Sequence, residues 1–126
     1  MAQELEITLE SKPESVARAR QVVPQVIDGI NEETLEDVRL IISELVTNAV
    51  KHGPDGRVKV HLRRDGKTIR GVVEDEGAGP FQHRRGIPPG PIGGLGLYLV
   101  DRLSDRWGVD SNSARVWFEL KDRSAA

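Results

Sequence analysis

Apolar residues follow two rhythms along this chain. Over residues 5–9, Leu5, Ile7 and Leu9 alternate with polar neighbours, the pattern of a strand with one buried face. After Pro13 the spacing becomes helical: Val16, Ala19, Val23 and Ile27 recur near one face, and Pro24 falls inside the stretch, where its missing N–H predicts a kink or an end. The pattern is strongest from Asn31. Asn31 is a capping residue, acids fill the first turn, and Leu35, Val38, Ile42, Leu45 and Ala49 form one stripe that Gly53 and Pro54 bring to a stop.

Alternation then returns. RVKVHLRR and TIRGVVED flank Asp65-Gly66, a dipeptide suited to the positive φ of a tight turn, so an antiparallel hairpin is expected. Residues 76–94 are crowded with Gly and Pro and predict a long loop. GLGLYLVDRLSDRW resumes helical spacing through Leu95, Leu99 and Leu103, and Val116, Phe118 and Leu120 alternate in a closing strand. KDRSAA reads as a frayed ending. Antiparallel strands beside helices imply an α+β fold, a two-layer sandwich with a mixed, mostly antiparallel sheet and helices on one face. One domain is expected over residues 1–121, with a tail at 122–126.

Composition narrows the function. The 126 residues are 37% hydrophobic and 30% charged, a soluble globular balance of single-domain size. Cys is 0, which removes disulfides, thiolate metal sites and cysteine nucleophiles and fits a reducing cytoplasm. No apolar run approaches the about 20 residues of a membrane span, and the acidic start is unlike a secretion signal, so neither membrane nor export is expected. Net charge is -2 with both signs interleaved, and aromatic residues are 4%, which argues against direct nucleic-acid binding.

Three segments carry candidate chemistry. Glu44 and Asn48 stand one turn apart on the Asn31 helix, where an amide oxygen suits magnesium and a carboxylate suits a proton acceptor; such a pair also decorates ordinary solvated helices. Asp75 ends a strand and precedes Gly77 and Gly79, so an acceptor stands beside backbone that a flat ligand can approach; an ordinary turn would look similar. Gly93, Gly94, Leu95, Gly96 and Leu97 open a helix whose first N–H groups and dipole favour an anion, although a glycine hinge would have the same residues. No GKS or GKT follows, so this is not a Walker motif.

Taken in order, ELVTNAVKHG, DEGAG and GGLGLYLV resemble the family of gyrase B, sensor histidine kinases and MutL, whose ATP site is the Bergerat fold. The resemblance covers about residues 35–120. It implies ATP and magnesium as cofactors, Asn48 as the metal ligand, Glu44 as catalytic base and Asp75 on adenine beside Gly77 and Gly79. Gly94, Leu95, Gly96 and Leu97 would meet the phosphates, and residues 80–92 would form the lid, in which Arg84 and Arg85 could reach phosphate but read more readily as solvated charges. Lys51, His52 and His83 are left as solvated or packing residues.

Within that family the short chain, its extra first strand and the ISELVTNAVKHG and VDRLSDRWG stretches are similar to bacterial anti-sigma-factor serine/threonine kinases. That resemblance implies a cytoplasmic homodimer that holds a sigma factor and phosphorylates a STAS-type anti-anti-sigma partner. A binding switch without phosphate transfer, or the detached ATP domain of a sensor kinase system, are the alternatives.

Overall fold

A computed structural model describes residues 2–27, 29–52, 56–76, 95–110 and 115–123. The chain opens with β1 (Ala2–Glu10), α1 (Glu14–Val26) and α2 (Glu32–His52). The hairpin β2 (Arg57–Asp65) and β3 (Thr68–Glu76) follows, then α3 (Leu95–Leu103), β4 (Arg106–Asp110) and β5 (Arg115–Lys121). The strands form one sheet in the order β1-β2-β3-β5-β4, and every described pairing is antiparallel. This is the expected two-layer α+β sandwich, without a parallel pair among the described strands.

Period-two alternation sets the two faces. The register places Leu9 opposite Val58, Ile7 opposite Val60, Val60 opposite Val73, and Gly71 opposite Phe118. These positions share a core with Ala19, Val23, Val38, Ile41, Ile42, Leu45 and Val46 of the helices. All three helices therefore lie on one face. The other face carries charged rows, and at its centre the Arg70 guanidinium lies 4.7 Å from the Trp117 ring centroid while bonding Glu119 at 2.6 Å.

Local signals explain the helix limits. The Asn31 side chain accepts from the N–H groups of Glu33 at 2.8 Å and Thr34 at 3.2 Å, as expected of a capping residue. Pro24 does not end α1 at once. It sits in the last turn, and the chain leaves the helix two residues later with the Ile27 N–H still bonded to the Val23 carbonyl at 3.0 Å. α2 runs to His52; Gly53 and Pro54 lie outside the described residues.

Three expectations are corrected. The hairpin turn is Gly66-Lys67 rather than Asp65-Gly66, because Asp65 still pairs with Thr68 as part of β2, and Gly66 takes a positive φ, 64°. The helical spacing of GLGLYLVDRLSDRW stops at Leu103, and residues 106–110 are a strand. There the sheet edge supplies partners that a helix would forgo: the Asp105 N–H bonds the Glu119 carbonyl at 2.8 Å, and the Asp105 carboxylate accepts from the Lys121 N–H at 2.8 Å. The frayed ending expected over KDRSAA does not include Asp122 and Arg123. Asp122 is buried and accepts from the Asn31 N–H at 3.0 Å, while the Arg123 N–H donates to the Thr34 hydroxyl at 3.1 Å and its guanidinium pairs with Asp37.

Candidate functional site

Connectivity brings the candidate segments to one end of the sheet. The start of α2 is held at the end of β5 by the Asn31–Asp122 and Thr34–Arg123 bonds, and Lys121 there pairs with Thr68, where β3 begins. A helix of 21 residues is about 30 Å long, and a strand of nine residues spans nearly the same distance. α2 thus crosses the whole sheet. Its far end must meet Arg57, only five residues beyond His52, and β2 starts where β3 finishes, with Arg57 opposite Glu76 and Val58 opposite Asp75. The second half of α2 and the last residues of β3 therefore share an end.

Asp75 faces the helices. It continues the parity of Ile69, Gly71 and Val73, and its partner across the ladder is the fully buried Val58. Its Oδ1 atom is buried. A carboxylate on the apolar face of a sheet is costly unless its charge is answered, so Asp75 stands beside the helix layer rather than in a solvated turn. Strand parity was the available signal: counting back from Asp75 in steps of two meets Val73 and Ile69.

Glu44 and Asn48 flank the buried stripe of α2, whose core members are Val38, Ile41, Ile42, Leu45, Val46 and Ala49. Both are half-buried, at the margin between core and solvent. Lys51 is exposed, in keeping with a solvated charge. α3 packs against α2 and ends beside the start of β4, where Arg106 pairs with Glu119, so its first turn lies away from that end. Leu95, Gly96 and Leu97 form that turn, which contains no acid, and the half-buried Leu97 packs against the core. The first N–H groups of any helix have no acceptor within the helix itself.

Gly77, Gly79, Gly94 and the lid expected over residues 80–92, with His83, Arg84 and Arg85, lie outside the described residues, as does the His52 side chain. Among the described residues no group of three His, Asp or Glu side chains is placed to hold a metal. No helix among the described residues is long and apolar enough to cross a membrane.

An acceptor on the sheet and a polar pair on the long helix thus stand at one end of a two-layer fold. The sequence pattern of the histidine kinase-like ATPase domain matches residues 9–120. The chain belongs to that family. Its curated relatives include proteins named serine-protein kinase RsbW: that of Listeria innocua is 31% identical over 124 residues, 83% of this chain and 78% of the relative. The protein of that name from Bacillus pumilus is 31% identical over 128 residues, 86% of this chain and 79% of the relative. The Bacillus subtilis protein is 28% identical with the same coverage, 86% and 79%. This histidine kinase-like ATPase domain is thus related over most of its length to serine-protein kinases.

Proposed function

We propose that the protein is a cytoplasmic, homodimeric anti-sigma factor that uses ATP to phosphorylate a serine or threonine of a STAS-type anti-anti-sigma factor. The observation that carries the reading is the half-buried Asp75, its Oδ1 buried, on the helix side of the sheet at the end reached by Glu44 and Asn48. The relatives' name supports serine as the acceptor, and the family supports ATP as donor.

Asp75 accepts a hydrogen bond from the exocyclic amine of adenine, which guanine replaces with a carbonyl. The first-turn N–H groups of α3, together with Gly94 ahead of them, receive phosphate oxygens. Gly77 and Gly79 let backbone approach the base. Asn48 offers its amide oxygen to magnesium, which would neutralise charge on the phosphates and leave the γ-phosphorus open to in-line attack. Glu44, one turn earlier, takes the proton of the partner's hydroxyl as its oxygen bonds the γ-phosphorus. The bond to the β,γ-bridging oxygen breaks, and ADP departs.

The test is single-turnover transfer of labelled phosphate to each STAS protein encoded near the gene, beside a calorimetric titration of ATP. Asn48→Ala lowers affinity and transfer together. Glu44→Ala leaves ATP bound and slows transfer by roughly a hundredfold or more, the scale of losing a positioned base. Transfer by Glu44→Ala at the unmutated rate removes the base assignment. If the unmutated protein transfers nothing while ATP alters its partner affinity, it is a binding switch.

A further inference from the structure

The turn leaving β1 and the turn entering β2 enclose a cleft that the nucleotide reading leaves unused. Its volume is about 460 Å³, and its walls are Glu10, Ser11, Lys12, Gly56 and Arg57. The Ser11 N–H donates to the Gly56 carbonyl at 2.9 Å, which ties the two turns together. The Ser15 hydroxyl donates to the Glu10 carbonyl at 2.6 Å and braces the first turn against α1. These bonds tie the walls of the cleft together, but its polar complement is incomplete.

Ser11 is 8% exposed, and its hydroxyl oxygen is buried without a hydrogen-bond partner. Buried hydroxyls are nearly always paired, so an orphan in a cleft wall points to a group that completes it. The other polar side chains are two cations and one acid. Lys12 is 3.1 Å from Glu10, with both side chains more than half exposed at 54% and 76%. Arg57 is exposed and joins none of the described ion pairs. Glu10 has open solvent to swing into, and the charge left behind is positive.

We propose that this cleft binds a phosphate dianion, free or carried as a phosphomonoester on a serine side chain. Arg57 presents a planar fork to two oxygens, Lys12 supplies a point charge, and the Ser11 hydroxyl donates to the third oxygen. Three donors of this kind match a tetrahedral oxyanion better than a flat carboxylate. The cleft opens at the sheet end where Val58 pairs with Asp75, yet it shares no residue with the nucleotide site and stands whether or not the protein is a kinase.

The experiment is a two-dimensional amide NMR titration of the full chain without nucleotide, using inorganic phosphate and N-acetyl-phosphoserine amide in turn, with sodium chloride as the ionic-strength control. Saturable shifts at Ser11, Lys12, Gly56 and Arg57 are expected; response to both probes indicates free phosphate, and response to the phosphoserine probe alone indicates a carried one. Arg57→Gln weakens binding about tenfold or more, as loss of a charge-assisted bond predicts. Ser11→Ala weakens it severalfold without lowering the melting temperature, because the orphan hydroxyl is gone. Non-saturating shifts equal to those in chloride overturn the proposal. So does a response abolished by Asp75→Asn and untouched by Arg57→Gln, which assigns the phosphate to the nucleotide site instead.

Discussion

Replacing Asp75 with Asn changes one atom of the side chain in shape and one unit of charge. The backbone stays in the ladder opposite Val58, so the strand itself is preserved. What changes is the acceptor: an amide keeps one oxygen and turns the other into a donor, which faces the amine of adenine donor to donor. Because Oδ1 is buried on the helix side, water cannot take over the lost interaction. Hydrogen bonds to a charged partner contribute about 1.5–3 kcal/mol, which converts to an affinity loss of roughly tenfold to 150-fold. Titration calorimetry with ATP, ADP and GTP measures this directly, and thermal denaturation of the nucleotide-free variant checks that the fold is retained. GTP binds the unmutated protein far more weakly than ATP, and the gap narrows in the variant because only ATP loses a bond. Unchanged ATP affinity in Asp75→Asn, or equal affinity of the unmutated protein for ATP and GTP, refutes the adenine assignment.

Two further substitutions probe the frame. In Gly71→Ala the new methyl falls 2.3 and 2.4 Å from two ring atoms of the fully buried Phe118, an overpacking cost of about 1–3 kcal/mol in urea unfolding; an alanine variant as stable as the parent shows the ring is not held there. Gly108→Ala meets Trp117 at 2.6 Å on the outer, partly exposed face, where the indole can move outward, so it costs less than Gly71→Ala, and the reverse order contradicts the packing described. Asn31→Ala removes the acceptor for two N–H groups at the start of α2 and lowers stability by about 1 kcal/mol, with Asn31→Ser recovering most of it. Failure of serine to recover it places the role of Asn31 outside capping.

By itself the sequence determined the elements whose stabilising interactions are local. The Asn31 cap, the apolar stripe of α2, the alternation of β1 to β3 and the order of the three glycine and polar motifs are all set within a few residues, and periodicity reports which side of each element is buried. Tertiary structure alone decided where partners come from far along the chain. Residues 106–110 became a strand because Glu119 and Lys121 offer hydrogen bonds to Asp105 at the sheet edge. Asp122 and Arg123 are anchored because the start of α2, some 90 positions earlier in sequence, needs them, as the separations of 91 and 89 residues record. The orphan hydroxyl of Ser11 is likewise a consequence of two distant turns meeting. The alignment of Glu44, Asn48 and Asp75 at one sheet end belongs to both levels: the residue types are local, but their shared end follows from a helix and a strand of equal length tied together at the opposite one.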